Sequence, residues 1–395
     1  MKKLCILTDE SIISGSVKTG VAELADSLAA SMVEFYEVHV VAPDCGSIYT
    51  RMAQNLLDEA QYVKACKLFG INYHVILPEH FAELSGDVIE TIGADIFHNL
   101  GDPCFDLAHV FSAKKIYTID AAEFLEGKED CLLGYDAVTT VSEGYADEII
   151  DAGGDLAFVL RQVNFRGITN GILDPAYKPE EGLFIPAPYT SADFRGKEVA
   201  RKKILRDYGI PGDPVLFLMM CRMVQEKGVP EVIEALPQIR DAGGFVLFVG
   251  AHGDPVLRRR VETLKRRDGG IWAAHWASPT EVVELLAAAD FYLSPSRKEP
   301  CGLTAMKACR FAAIPVTTLV GGLSDNMDED FALIIRNGVE PTALQAIRMH
   351  GTAEETRRRA LCMQQNFGWS RRRQKYVELY ETSGDNLRRE QTLGG

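Results

Sequence analysis

Pro295-Ser296-Arg297-Lys298-Glu299-Pro300-Cys301-Gly302-Leu303-Thr304 is the stretch whose reading decides the fold. The apolar run before it, Phe291-Tyr292-Leu293, reads as a buried strand, and residues 305–313 after it read as a helix. The stretch is therefore a strand-to-helix turn. Gly302 stands where the backbone must let a ligand come close. The amides of Gly302, Leu303 and Thr304 begin the helix without partners, and such a terminus attracts anions such as diphosphates. Glu299, on the loop just before, is placed to accept hydrogen bonds from sugar hydroxyls.

The same strand–loop–helix unit recurs in both directions. Residues 215–220 form an apolar strand that runs into Cys221-Arg222-Met223-Val224-Gln225-Glu226-Lys227-Gly228. Helical spacing follows at Val229, Val232, Ile233, Leu236 and Ile239, with Pro230 tolerated in the first turn. Residues 245–249 and 314–318 are further strands. Near the amino terminus, residues 3–8 lead through Ser14-Gly15-Ser16-Val17-Lys18-Thr19-Gly20 to a helix with Val21, Leu24, Ala25, Leu28 and Met32 on one face. This turn is not a P-loop, because Lys18-Thr19 precede Gly20 instead of following it. Residues 36–42, 71–77, 95–98, 116–119 and 138–141 read as strands, and residues 52–69, 88–92 and 146–150 as helical segments. Strands alternating with helices imply parallel sheets covered on both faces, with ligands at the carboxyl ends of the strands.

Composition narrows the classes. A chain of 395 residues, 47% apolar, is enough for two cores. A net charge of −14 argues against a nucleic-acid binder. No apolar run approaches the roughly 18 residues needed to span a membrane. Nine scattered cysteines, none in a CxxC pair, read as unpaired thiols in a reducing cytoplasm.

The turn at 295–304 closely resembles the donor-site signature of bacterial glycogen synthases and plant starch synthases, which are retaining glucosyltransferases. Lys18-Thr19-Gly20 resembles the start of that family's Lys-Thr-Gly-Gly-Leu, with Val21 in place of the second glycine. Arg222 and Lys227 match the family's cations on the donor diphosphate. The physical need is that departure of a nucleoside diphosphate concentrates negative charge. Val320-Gly321-Gly322-Leu323-Ser324-Asp325 resembles Thr-Gly-Gly-Leu-Ala-Asp. Asn170, at the family's Asn-Gly, reads either as a donor contact or as an ordinary turn. Trp276 reads either as a packing partner of the nucleobase or as a core residue. The resemblance thins between Gly46 and Asp130. There the family's catalytic-site histidine falls on Pro103, whose backbone carbonyl is what remains, and His98 reads as a structural residue.

The resemblance implies two Rossmann-like α/β domains facing a central cleft, the GT-B architecture. The expected division is residues 1–169, residues 170–366 for the donor domain, and residues 367–395 as a helix returning to the first domain. It implies glucose transfer from a nucleotide-sugar donor, ADP-glucose foremost, to an α-1,4-glucan or oligosaccharide acceptor, in the cytoplasm. Catalytic roles fall to Glu299, Arg222 and Lys227. Donor contacts fall to Lys18, Thr19, Gly20, Asn170, Arg222, Lys227, Trp276, Glu299, Cys301, Gly302, Leu303 and Thr304. No cofactor, metal, nucleic acid or membrane is implied. The alternatives are a UDP-glucose-dependent transferase acting on a smaller acceptor, and a non-catalytic relative that binds a sugar nucleotide or glucan.

Overall fold

The computed structural model describes residues 1–11, 21–45, 54–55, 62–173, 177–250, 253–267, 271–273 and 278–382. The chain divides into two compact units: Met1–Gly171 joined by the segment from Gly368 onward, and Ile172–Phe367. Each is built on one sheet, and no described helix is long and apolar enough to cross a membrane.

The first unit carries β1 (Lys3–Leu7), β2 (Glu37–Pro43), β3 (Gln54–Asn55), β4 (Val63–Leu68), β5 (Ile71–Ile76), β6 (Ile96–Asn99), β7 (Lys114–Ile119), β8 (Ala137–Thr140) and β9 (Phe165–Gly167). Their order in the sheet is β3-β4-β5-β2-β1-β6-β7-β8-β9. From β5 to β9 every pairing is parallel. The expected helix over 52–69 is corrected: the described part of that range is strand, with β4 antiparallel to β5. Phe69 and Gly70, with φ of 52° and 85°, form the tight turn between them. Two consecutive left-handed residues suit the twist of a hairpin, so pairing with β5 overrides the local apolar spacing.

The second unit carries β10 (Val215–Met220), β11 (Gly244–Val249), β12 (Ile271–Ala273), β13 (Phe291–Ser294), β14 (Ile314–Thr317) and β15 (Leu333–Ile334). The order is β12-β11-β10-β13-β14-β15, all parallel. Counted within the unit this is 3-2-1-4-5-6, the doubly wound order whose winding reverses between β10 and β13. The strands are near-continuous apolar runs because helices cover both faces. Ser278 caps the helix Pro279–Ala288 by accepting from the Glu281 amide at 3.2 Å, as its Ser-Pro-Thr-Glu sequence predicts.

Buried charge holds the amino-terminal ends of these strands. Asp290, fully buried before β13, accepts from the Leu216 amide of β10 (2.8 Å), from Arg201 (3.0 Å) and from Arg359 (2.7 Å). Burial alone would raise this carboxyl. Arg359 and Arg201 outweigh it and hold the group below the usual range. Beside it, the buried Lys197 donates to the carbonyls of Ala287, Ala289 and Phe311. Desolvation pulls its ammonium down to about 7, with Arg359 adding to the effect.

In the first unit His98 ties the sheet to the last helix, Trp369–Glu381. It is wholly buried, with Nδ1 2.7 Å from the Tyr380 hydroxyl and Nε2 2.7 Å from the Thr118 hydroxyl. Lys2 and Tyr36 meet Glu381 of the same helix at 2.5 and 2.8 Å. His74 of β5 is also buried, stacked on His39 of β2, with its Nδ1 unpartnered.

Among the described residues Cys104 and Cys131 form a disulfide, with Cα atoms 5.2 Å apart. This corrects the expectation of unpaired thiols, and it removes the argument from cysteine usage for a reducing compartment. The two cysteines are 27 residues apart in sequence. Only the fold brings the loop after β6 beside the turn Glu129–Gly134.

The buried histidines set a pH dependence. Burial lowers His98 to about 3 and His74 to about 4. An unfolded chain takes up these protons near the ordinary histidine value of about 6.5. The unfolded state therefore binds more protons below that pH, and stability falls as pH drops from about 6.5 toward 4. At pH 5 His98 alone costs on the order of 2 kcal/mol. Thermal melts should show a lower midpoint at pH 5 than at pH 7. His98→Gln should lower the midpoint at pH 7 and flatten this pH slope.

Candidate active site

The winding reverses between β10 and β13, and open parallel sheets bind ligands outside the carboxyl ends of their strands at such a reversal. The loop after β10 turns through the short 3-10 segment Gln225–Lys227 to Gly228, which starts the helix Val229–Asp241. The loop after β13 runs from Pro295 to Gly302, which starts the helix Leu303–Arg310.

The two loops are laced together by backbone contacts. Arg297 donates its amide to the Glu226 carbonyl at 2.7 Å. Gly228, at φ 72°, packs against the Pro295 carbonyl so closely that any Cβ would collide with it. The loop after β14 joins them: Gly322 donates to the Glu299 carbonyl at 2.9 Å, and the Thr318 hydroxyl donates to the Ser296 carbonyl at 2.6 Å.

This lacing places Glu299 and Lys227 side by side. Lys227 Nζ donates to Glu299 Oε2 at 2.9 Å, and the Ser296 hydroxyl donates to the same oxygen at 3.2 Å. Both charged side chains are mostly buried, 14% and 18% exposed. Among the described residues Glu299 Oε1 has no hydrogen-bond partner. The carboxylate is thus anchored through one oxygen and offers the other. Arg222 stands further out, half exposed, paired with Glu226 at 2.9 Å.

Gly302 adopts φ 81° and caps its helix with no side-chain hydrogen bond. The first i→i−4 bond of the helix runs from Met306 to the Gly302 carbonyl at 3.2 Å. The amides of Leu303 and Thr304 therefore have no acceptor within the helix, and they present positive dipole ends to the loop. The Thr304 hydroxyl instead engages Tyr292, whose own hydroxyl donates to the Met220 carbonyl at 3.0 Å. Cys301 is buried, and its carbonyl accepts from Asn326 at 3.3 Å. Desolvation pushes the Cys221 thiol up to about 12, with Glu299 adding to the effect and Lys227 and Arg222 opposing it, which favours the thiol over the thiolate.

The structure thus brings Arg222, Lys227, Glu299, Cys301, Gly302, Leu303 and Thr304 to adjoining strand ends of one sheet. Ser296, which the sequence reading assigned no role, shares Glu299 with Lys227; its place three residues before the glutamate was the available signal. Asn170 lies in the first unit, buried, with Oδ1 unpartnered and its amide donating to Val141 at 3.1 Å. Lys18, Thr19, Gly20 and Trp276 lie outside the described residues. The Pro103 carbonyl accepts the Tyr135 hydroxyl at 3.0 Å, and Tyr135 in turn accepts from Asn99 at 2.7 Å.

Comparison with known proteins bears on the family and the fold. Residues 200–355 match the family described as glycosyl transferases group 1. Glycogen synthase of Rhodospirillum rubrum is 34% identical over 265 residues, covering 62% of this chain and 54% of that protein. The chain spans between 52% and 62% of the length of the curated glycogen synthases it matches. The catalytic domain of starch synthase IV from Arabidopsis thaliana, solved with ADP and acarbose, superposes with a TM-score of 0.83 at 21% identity, covering 98% of this chain and 99% of that one. The Anabaena protein HepE, solved with UDP-glucose, superposes with a TM-score of 0.66 at 14% identity over 96% of this chain and 99% of that one. At these identities the two superpositions establish the fold.

The glycine at 302 is required by conformation and by space. A Cβ there would sit 2.8 Å from Leu323 Cδ2, on a backbone at φ 81°. Gly302→Ala should cost about 1–3 kcal/mol through strain and contact. A chemical denaturation curve with a midpoint equal to that of the parent chain would contradict it.

Proposed function

Because this chain belongs to the glycogen and starch synthase family, we propose that it is a glucosyltransferase moving glucose from ADP-glucose to an α-1,4-glucan with retention at the anomeric carbon. One observation carries the reading: Glu299 is held through Oε2 by Lys227 and Ser296 and leaves Oε1 to accept sugar hydroxyls. A lysine gripping that carboxylate keeps a positive charge beside the sugar, where the bond to phosphate breaks.

Cleavage of the glucose–phosphate bond leaves charge on the diphosphate. Lys227, Arg222 and the open amides of Leu303 and Thr304 are fixed positive groups suited to meet it. Arg222 trades Glu226 for phosphate, and an exposed ion pair of that kind is worth only about 0–1 kcal/mol. Two cations and a helix terminus supply the charge stabilisation without a metal. As the resemblance implies, the departing phosphate oxygen takes the proton of the acceptor hydroxyl. Attack then proceeds on the face the diphosphate leaves, which preserves the anomeric configuration. The likeness to glycogen synthases supports a cytoplasmic setting.

A second reading has its own observation. The position at which the resemblance expects a histidine is Pro103, and its carbonyl already accepts the Tyr135 hydroxyl. Without that histidine the chain would be suited to binding a sugar nucleotide or glucan without transfer.

Radiolabelled transfer from ADP-glucose and from UDP-glucose, to glycogen and to maltooligosaccharides, separates these. We expect kcat/KM for ADP-glucose with glycogen at least ten times that for UDP-glucose. Transfer from UDP-glucose alone, or nucleotide binding with no transfer, selects one of the alternatives. Lys227→Ala should lower kcat by about 100-fold or more, in the range of losing one preorganised transition-state donor. Its circular dichroism and melting should remain close to those of the parent. Activity within a few-fold of the parent would defeat the charge-neutralisation argument.

A further inference from the structure

We propose that the Cys104–Cys131 disulfide is a redox switch that sets the order of the loop after β6. The argument begins with position. Counted within the first unit, β1, β2, β5, β6 and β7 take the order 3-2-1-4-5, and the winding reverses between β1 and β6. The loop 100–106 leaves the carboxyl end of β6 and so borders the crevice at which such a sheet binds ligands.

The loop is held in two ways. Its near half is pinned by hydrogen bonds: Asn99 Nδ2 donates to the Asp102 carbonyl at 2.7 Å, Tyr117 to the Gly101 carbonyl at 3.1 Å and Tyr135 to the Pro103 carbonyl at 3.0 Å. Its far half begins at Cys104, whose bond to Cys131 ties it to the turn Glu129–Gly134. The other direct tie between these segments from charged side chains is Lys128 to Asp102 at 3.1 Å, with both side chains about half exposed. An ion pair so exposed holds little. Opening the disulfide removes the covalent tie to the turn and leaves the near half on its hydrogen bonds. The far half is left on local contacts: the Cys104 amide donates to Asp102 Oδ1 at 3.1 Å, the Phe105 amide donates to the Asp102 carbonyl at 3.2 Å, and the Phe105 ring lies against Phe97.

Accessibility permits exchange at this pair: Cys104 is exposed and Cys131 half-buried. Cys45 is also exposed and Cys66 and Cys221 are partly exposed, whereas Cys5, Cys301, Cys309 and Cys362 are buried. The reaction is exchange with a dithiol reductant. A thiolate of the reductant attacks Cys104 Sγ, forms a mixed disulfide and releases Cys131 as a thiolate. The second reductant thiolate attacks its own sulfur in the mixed disulfide, releases the Cys104 thiolate and closes a disulfide within the reductant. Two electrons pass to the protein, and the two protons shed by the reductant thiols end on Cys104 and Cys131. The same exchange run backward restores the bond.

The effect on rate rests on the transferase reading, but the effect on the loop does not. The full chain, prepared oxidised and after dithiothreitol, is compared in three ways. Alkylation under denaturing conditions should find seven thiols before reduction and nine after. Hydrogen exchange in peptides spanning 99–106 should quicken at least fivefold on reduction, and kcat/KM for transfer should fall at least threefold. The double variant Cys104→Ser/Cys131→Ser should match the reduced protein and ignore the reductant. Nine thiols before reduction, or equal exchange in the two states, overturns the switch. Looser exchange with unchanged turnover overturns its control of activity. Absence of transfer from every donor in both states counts against the transferase reading instead, and the switch is then decided by thiol count and exchange.

Discussion

The candidate site depends on loops packed so closely at three strand ends that glycine stands at each. Gly228 lies under the Pro295 carbonyl and Gly322 against the backbone of Cys301, while Gly302, at φ 81°, meets the Leu323 side chain. Each contact would be lost with a single added Cβ. Together they bring the loops after β10, β13 and β14 into one laced surface, and that lacing sets Lys227 beside Glu299. The ion pair is a consequence of the backbone packing more than its cause, since for a mostly buried pair the desolvation of both charges offsets much of their attraction.

Rigidity at the opposite end of the sheet complements this. Asp290, Arg201 and Arg359 bury a three-way charge cluster where β10 and β13 begin, and Lys197 donates to three carbonyls beside it. Such charges are tolerated only because each is partnered, and removing one partner would leave the others uncompensated. The carboxyl ends of the same strands carry open amides and a half-free carboxylate. Stability and ligand chemistry are thus placed at opposite ends of the same two strands, a division that doubly wound sheets allow because they bind ligands at the carboxyl ends of their strands.

In the first unit the polar groups that sequence reading set aside prove structural. His98 sits between Tyr380 and Thr118 and joins β6 to the last helix. Its burial explains why it is neutral, and neutrality explains why it serves as a hydrogen-bonding hinge between hydroxyls. The Pro103 carbonyl is engaged by Tyr135. The loop that carries it is held by hydrogen bonds on one side and a disulfide on the other, so its order is a chemical variable and not only a conformational one.

Local signals made much of this legible. Apolar runs ending in glycine-bearing turns, followed by helical spacing, marked β10, β13 and their helices, because a parallel strand covered on both faces must be apolar throughout. Gly302 announced a helix start, and Glu299 and Lys227 announced charge at strand ends. What sequence spacing could not carry was pairing over distance. Residues 63–68 became a strand because β5 lay ready to pair with them, and the apolar spacing alone suggested a helix. Cys104 and Cys131 met because two loops converged, and Ser296 came to share Glu299 because Thr318 held its carbonyl. The chain by itself determined which residues could meet an anion and a sugar, since that follows from residue type and the turn that bears it. The tertiary structure decided which oxygen of Glu299 is tied and which is open, and which cysteines are joined, since those depend on backbones brought together from distant parts of the sequence.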